Sequence, residues 1–225
     1  RERTPITELG DGERRAALLI AYGTLDWFYP YFEVVGRDID QALLEQWIEL
    51  DTLSDGDRKG MMAILGRLMH SIHDGHGFYT DWGTIDWSDG YLGIQIELVN
   101  GEALVRSSVH PDIYAGDVIV GVEGLAADEW YAEAMSRYSA SSDWYRFVQA
   151  SYELKEVYGN RNLTLRSIDG DIRTVNAEPQ SYYESLEVAW GGTLRETGWL
   201  NDLDASDIFY VNMSGMVTPE MSTVT

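Results

Sequence analysis

The sequence has no cysteine, and that absence excludes three kinds of chemistry at once. The 225-residue chain can form no disulfide bond, no thiolate zinc site and no cysteine nucleophile. Lysine is almost as rare, since only Lys59 and Lys155 occur. Neither lysine has a serine at the spacing of a Ser-x-x-Lys motif, so the sequence gives no sign of a serine–lysine catalytic pair of its own.

Long apolar runs and positive charge are also scarce. No stretch approaches the roughly 20 apolar residues that a membrane-spanning helix needs, so we expect no membrane span. The 16 basic residues are outnumbered by 38 acidic ones, which gives a formal net charge of −22. A field of that sign repels nucleic acid and anionic lipid, and we exclude nucleic acid as a partner. A basic partner and adaptation to a salty environment both remain open as reasons for the charge.

The composition that is present is that of a folded protein. Hydrophobic residues make up 44% of the chain and aromatic residues 12%, which is enough for one or two domains with real cores. The chain begins at Arg1 and not at methionine. We therefore expect that a segment was removed in front, either a cleaved export signal or an artificially trimmed N-terminus.

The first third of the sequence has helical periodicity. Apolar residues recur every three or four positions in three segments, as helices with one buried face require. The first helix is predicted from an N-cap at Asp11 to Pro30, the second after Asp40, and the third from a capping box at Ser54. The apolar positions predicted to be buried are Leu18, Tyr22, Leu25, Leu43, Leu44, Trp47, Ile48, Met61, Leu65, Leu68 and Ile72.

From residue 92 onward the apolar period changes to two, which is typical of half-buried strands. Asn100-Gly101 and Asp169-Gly170 predict tight hairpin turns, and residues 118–122 predict a buried strand. Helical patterns return at residues 128–138 and 142–158. A last apolar run begins at Ile208 and predicts a strand that needs a sheet from elsewhere, because a single strand cannot bury itself.

The strongest local signal is a histidine cluster at the end of the third predicted helix. His70, His73 and His76 are three of the chain's four histidines, and they lie beside Asp74 and Gly75. Asp74-Gly75 is a helix-stop signal, which places His76 just beyond the helix, where an imidazole can act as a general base. Asp74 is the candidate that orients this loop. The alternative is that Asp74 and His76 only form a polar helix-end cap.

Two other interpretations of the polar residues are weaker. His70, His73 and His76 are evenly spaced and Asp74 adds an oxygen ligand, a set that would suit a metal-dependent hydrolase. Their spacing lacks the His-Glu-x-x-His pattern, so we predict no metal and no cofactor. Ser214 is followed by glycine but lacks the Gly-x-Ser-x-Gly turn of a nucleophile. We therefore predict no nucleophilic serine within this chain.

The ordered set of motifs resembles the C-terminal processing peptidase and tricorn-core serine peptidase family. Residues 27–32 and 73–77 resemble the N-terminal helical domain of one bacterial branch, and residues 116–124 resemble the most recognisable stretch of the family's PDZ domain. Residues 139–158 resemble the long PDZ helix, and residues 208–213 the first strand of the peptidase core. The resemblance covers essentially the whole chain in the family's domain order.

The resemblance implies an α+β fold of three parts. Residues 1–84 would be an N-terminal helical bundle, and residues 85–178 a PDZ-like β-barrel or sandwich domain with helices. Residues 179–225 would be a linker and the first strand of an incomplete α/β core. The implied parent is an exported bacterial serine endopeptidase, periplasmic or extracellular, that acts on peptides or unfolded proteins. Its nucleophile would lie beyond this chain, and its oligomeric state is open.

The resemblance also implies roles for individual residues. In the tricorn-like branch the general base is a histidine in the loop that matches Asp74-Gly75-His76, whereas in the processing branch it is a lysine downstream. His76 is therefore the candidate general base. A PDZ domain adds a peptide as a strand and captures its terminal carboxylate with loop amides, which here are those of Tyr91, Leu92, Gly93 and Ile94.

The peptide-binding loop departs from the family pattern. The family commonly has a glycine where Tyr91 stands, which leaves carboxylate capture open, although Gly93 allows close approach to an anion. The loop and its strand are alternatively no more than part of a domain core. The rival function for the whole chain is a stand-alone PDZ-like peptide-binding protein without catalysis.

Overall fold

The structure is a computed structural model that describes residues 9–80, 88–181, 185, 196–203 and 205–211. The described residues form six α-helices, namely α1 (Asp11–Phe28), α2 (Phe32–Val35), α3 (Ile39–Leu50), α4 (Arg58–His70), α5 (Ala127–Met135) and α6 (Asp143–Lys155). They also form ten strands, namely β1 (Gly90–Tyr91), β2 (Ile94–Val99), β3 (Glu102–Ser108), β4 (Val118–Val122), β5 (Leu125–Ala126), β6 (Glu156–Val157), β7 (Arg161–Arg166), β8 (Ile172–Ala177), β9 (Gly198–Leu200) and β10 (Ala205–Tyr210).

The predicted α+β class is confirmed, whereas the described strands close no barrel and the PDZ-like organisation stays a prediction. The main sheet is antiparallel with the order β2-β3-β4-β7-β8, and β5 pairs with β4. Strands β2 and β8 do not pair with each other, so the sheet stays open and closes no barrel among the described strands. No helix in the described ranges is long and apolar enough to cross a membrane.

The first helices pack around their own apolar core. Helices α1, α3 and α4 are amphipathic, so each turns one face inward. The fully buried side chains at their centre are Leu18, Leu50, Ile64 and Leu68. This core holds α4 in place, and α4 leads directly into the histidine cluster.

Two of these helices begin at residues other than the predicted ones. Asp57 accepts a hydrogen bond from the Gly60 amide at 2.8 Å, so α4 begins after Asp57 and the predicted start at Ser54 is wrong. Helix α1 has Gly10 as its N-cap without a side-chain bond. The predicted cap, Asp11, is instead its first helical residue, where its charge complements the helix dipole.

Helix α3 buries a narrower face than its apolar pattern predicts. Leu43 and Trp47 pack against the core, but Leu44 is 59% exposed and Ile48 is 71% exposed. Each residue advances about 100° around a helix, so Leu44 points well away from the stripe that continues to the buried Leu50. The prediction that all four apolar residues are buried is therefore wrong for Leu44 and Ile48.

The main sheet and helices α5 and α6 form a second core. The hairpin predicted at Asn100-Gly101 is confirmed, with φ values of 52° and 84° that suit its two-residue turn. The hairpin predicted at Asp169-Gly170 joins β7 to β8, as expected. The fully buried side chains of this core include Leu92, Val105, Val122, Leu154, Leu163 and Leu165.

The last predicted strand has a partner within the chain. Strand β10 pairs with β9 in an antiparallel hairpin, and the Trp199 and Phe209 rings lie edge to face at 5.1 Å. The expectation that Ile208 lies in a strand without a partner is therefore wrong. The predicted end of this strand, at residue 213, lies outside the described residues.

The two cores meet where α4 contacts the segment after α5. A side chain at Gly66 would clash with the Tyr79 ring and would lie 2.7 Å from the Arg137 carbonyl oxygen. Next to it, Arg67 donates to Glu133 at 3.1 Å and also pairs with Glu49. Only glycine allows α4 to approach so closely.

Replacing Gly66 tests how much this contact contributes to stability. Gly66→Ala places a methyl group against backbone that cannot move freely, so we expect a loss of about 1–3 kcal/mol in the free energy of unfolding. Gly23→Ala is the matched control, because Gly23 lies in α1 with open space around it. A helical alanine there should stabilise by about 0.5–1 kcal/mol. Urea denaturation measures both, and equal effects of the two variants would contradict the close approach.

Candidate functional site

Helix α4 ends earlier than the sequence predicts. Its last residue is His70, and the Ser71 hydroxyl donates to the Leu68 carbonyl oxygen at 2.7 Å. His73 has a φ of 51°, the left-handed conformation that terminates helices and that glycine usually supplies. The predicted stop at Asp74-Gly75 is thus wrong by about one turn, and His73 joins His76 outside the helix.

Asp74 organises the loop that follows. Its Oδ1 accepts a hydrogen bond from the His76 amide at 2.9 Å, which closes an Asx turn. Its own amide donates to the Ser139 hydroxyl at 2.9 Å, which ties the loop to the segment between α5 and α6. The His76 amide, followed by the His76 imidazole, holds the pKa of the Asp74 carboxyl below its usual range. Asp74 is therefore a carboxylate with a fixed position.

His76 is oriented by this carboxylate. Its Nδ1 lies 3.1 Å from Asp74 Oδ1, and its side chain is 99% exposed. When Nδ1 carries the proton and donates to Asp74, Nε2 keeps its lone pair and faces solvent. This is the arrangement in which a carboxylate fixes the tautomer of a general base.

A cavity of about 720 Å³ opens beside the loop. The loop between α5 and α6 and the start of α6 form its other wall. Its lining includes the side chains of Tyr29, His73, His76, Ser141, Trp144 and Tyr145. The cavity thus brings aromatic rings and hydroxyl groups next to the imidazole of His76.

His70 and His73 each contact a guanidinium group. His70 Nδ1 lies 2.8 Å from the Tyr138 carbonyl oxygen and must donate, so its Nε2 faces Arg146 at 3.5 Å as an acceptor. His73 Nε2 accepts from Arg37 Nε at 3.2 Å. Within the described residues, no three His, Cys, Asp or Glu side chains are grouped so as to hold a metal ion.

Burial and the neighbouring arginines lower the pKa of both imidazoles. Burial lowers the pKa of His70, and the positive charge of Arg146 lowers it further against the opposing hydrogen bond to Tyr138. Burial is also the largest cause that lowers the pKa of His73, followed by the charge of Arg37. The two rings meet edge to face at 5.4 Å.

The predicted peptide-binding loop uses two of its amides internally. Tyr91 donates to the Gln180 carbonyl oxygen at 3.0 Å, and Leu92 donates to that of Lys155 at 2.9 Å. Leu92 and Ile94 are buried, and Gly93 has the left-handed φ of 63° that its position requires. Backbone hydrogen bonds and buried side chains therefore fix the conformation of the loop. Its role in peptide binding stays a prediction.

Several residues of the site have no local sequence signal. Ser139 anchors the Asp74 loop from 65 positions away, and Arg37 reaches His73 from the link between α2 and α3. Arg146 lies 76 positions after the histidine it faces. Packing within the first core brings Arg37 to the cluster, and contacts between the two cores bring Ser139 and Arg146. No spacing rule along the chain predicts any of them.

His70 makes stability depend on pH. Its folded-state pKa lies below the ordinary value of about 6.5, so below that pH the unfolded chain binds more protons than the folded one. We therefore expect His70 to lower stability as the pH falls through and below about 6.5. His70→Asn, which keeps a donor for Tyr138 but does not titrate, should flatten the acid side of a melting-temperature profile. His76→Asn is the control, and an equal flattening there would contradict this assignment.

No protein-family model matches the chain, and no curated protein is similar to it in sequence. Solved structures of CPAF, a chlamydial serine protease of the C-terminal processing type, are similar in fold. Mature CPAF matches with a TM-score of 0.59 at 16% identity. A mutant of CPAF with a serine replaced by alanine matches at 0.58 and 17%, and mature CPAF complexed with lactacystin at 0.57 and 16%.

The matches define how far the likeness extends. Each covers 75% of this chain but only 34% of the CPAF chain, so this chain spans about a third of the length of those proteins. At such low identity, the likeness establishes the fold and leaves residue roles open. The chain thus has a CPAF-like α+β fold.

Proposed function

We propose that this chain forms the front part of a bacterial serine-type endopeptidase and supplies its general base, His76. The observation that carries the proposal is the pairing of His76 Nδ1 with Asp74 Oδ1 at 3.1 Å beside a cavity. The CPAF-like fold supports it, because CPAF is a serine protease. The chain itself offers no recognisable nucleophile, so the serine and the oxyanion hole would come from a peptidase core.

The geometry fits the proton transfers of such a reaction. His76 Nε2 would take the proton of the serine hydroxyl as the oxygen attacks the scissile carbonyl, and would later give it to the leaving amine. Asp74 would stabilise the imidazolium between these steps without taking the proton. Because the side chain of His76 is 99% exposed in this chain, a docking core has free access to Nε2.

The proposal includes a domain assignment. Residues 1–84 would be the helical domain, residues 85–178 the PDZ-like domain and residues 179–225 the approach to the core. Strand β2 lies at an edge of the main sheet with α6 beside it, which is the place where a PDZ domain adds a peptide strand. The parent protein would be exported and would act on peptides or unfolded proteins.

His76 and Asp74 variants of the complete encoded protein test the catalytic role. His76→Ala removes the base, so kcat should fall by roughly 10²–10⁴-fold while the melting temperature stays unchanged. Asp74→Asn keeps an acceptor for the His76 amide but loses the charge, so kcat should fall by a smaller factor. Cleavage of a fluorogenic peptide measures both.

Asp169→Asn is the control for these variants, since Asp169 is exposed at the tip of the remote β7–β8 turn. It should leave kcat unchanged. Full turnover by His76→Ala would disprove the proposal and would point to a downstream lysine as the base.

The second candidate function is peptide binding without catalysis, and the edge position of β2 favours it. The amides of Tyr91 and Leu92 are already hydrogen-bonded within the chain, so strand addition would proceed without full carboxylate capture. Peptides with an apolar C-terminus should therefore bind with similar affinity as free acids and as amides, within about twofold by calorimetry.

A Gln180→Pro variant provides the matched control for that titration. It removes the amide that donates to the Tyr91 carbonyl oxygen at 2.7 Å and so loosens the loop. Binding of the two peptide forms should weaken together. A free acid that binds at least tenfold more tightly than its amide would instead establish carboxylate capture.

A further inference from the structure

Two arginines of the histidine cluster are hydrogen-bonded to histidines in a chain rich in carboxylates. Arg37 donates from Nε to His73 Nε2 at 3.2 Å, and within the described residues this is its one hydrogen-bonded donor. Arg146 faces His70 Nε2 at 3.5 Å and also pairs with Asp143. With 38 acidic residues against 16 basic ones, it is unexpected that the exposed Arg37 has no carboxylate partner among the residues that the structure describes.

The four side chains of Arg37, His73, His70 and Arg146 contact one another in sequence and form a row. Arg37 contacts His73, His73 meets His70 at 5.4 Å between ring centroids, and His70 contacts Arg146. His73 also lines the cavity that contains His76. The Arg37 end of the row is exposed, whereas the Arg146 side chain is mostly buried. The row therefore reaches the cavity through His73, and the exposed Arg37 lies next to that histidine at 3.2 Å.

We propose that Arg37 and His73 form a subsite that binds the carboxylate of an acidic side chain in the peptide held beside His76. The inference rests on the proposed function for its peptide substrate, and it adds a preference for aspartate or glutamate near the scissile bond. The two terminal amino groups of the Arg37 guanidinium provide the planar fork that pairs with a carboxylate. His70 packs against the His73 ring, and Arg146 contacts His70.

The titration of His73 would couple to the bound carboxylate. His73 faces Arg37, His70, Arg146 and Asp143, and of these only Asp143 favours its protonation. Its neutral Nε2 now accepts from Arg37. A carboxylate at this point would favour protonation of Nε2, which would then give up the hydrogen bond from Arg37 Nε and donate to the ligand. Binding should therefore strengthen as the pH falls through the histidine range.

Two small ligands test the subsite without any turnover. N-acetylglutamate N-methylamide carries the carboxylate, and N-acetylglutamine N-methylamide is its neutral match. The histidine ring signals of the chain are followed by NMR across pH with each ligand. We expect the glutamate ligand to saturate and to raise the pKa of His73, and the glutamine ligand to leave that pKa unchanged.

Variants locate the binding. Arg37→Gln should weaken binding of the glutamate ligand roughly tenfold or more, because a charged hydrogen bond is lost. Arg106→Gln is the matched control, since Arg106 is exposed on β3 and pairs with Glu97 at 2.8 Å, and it should bind as the parent chain does. His73→Asn keeps a residue that tolerates the left-handed backbone, and it should abolish the pH dependence.

The outcomes separate this proposal from the catalytic one. Equal response to the glutamate and glutamine ligands, or equal weakening by Arg37→Gln and Arg106→Gln, overturns the subsite and leaves His76 catalysis untouched. Loss of turnover in His76→Ala together with equal cleavage of glutamate- and glutamine-containing peptides has the same meaning. Saturable glutamate binding that needs Arg37 supports the subsite even where His76→Ala retains turnover.

Discussion

The hydrogen bond from the Asp74 amide to the Ser139 hydroxyl is the contact on which the candidate site depends. It joins the end of α4, which belongs to the first core, to the segment before α6, which belongs to the second. Without it, the Asx turn that orients His76 would be an exposed loop with nothing behind it. The position of the imidazole is therefore a property of both cores together.

The close packing at Gly66, in the second half of α4, supports that hydrogen bond. Helix α4 approaches the Arg137 carbonyl oxygen there, and His70 reaches the Tyr138 carbonyl oxygen at 2.8 Å. Ser139 follows directly. Three successive residues after α5 thus receive contacts from one helix and its loop, so a shift of α4 would move the whole loop that carries His76.

The sequence predicts the elements of this fold better than their partners. The hairpins at Asn100-Gly101 and Asp169-Gly170 follow from local turn chemistry, and so they are correct in position. The predicted start of α4 at Ser54 is wrong because the Asp57 carboxylate caps the helix. Its predicted end at Asp74 is wrong because His73 already has a left-handed backbone. Arg37, Arg146 and Ser139 could not be predicted, since only long-range packing places them at the cluster.

The backbone of His73 has a consequence for which residues can occupy that position. Glycine or asparagine adopts a left-handed conformation with little cost, whereas other side chains lose on the order of 1 kcal/mol there. A histidine is stable in this conformation only if the contacts of its ring offset that conformational cost. Where no ring contact to Arg37 is needed, glycine or asparagine is therefore the less strained residue at this position.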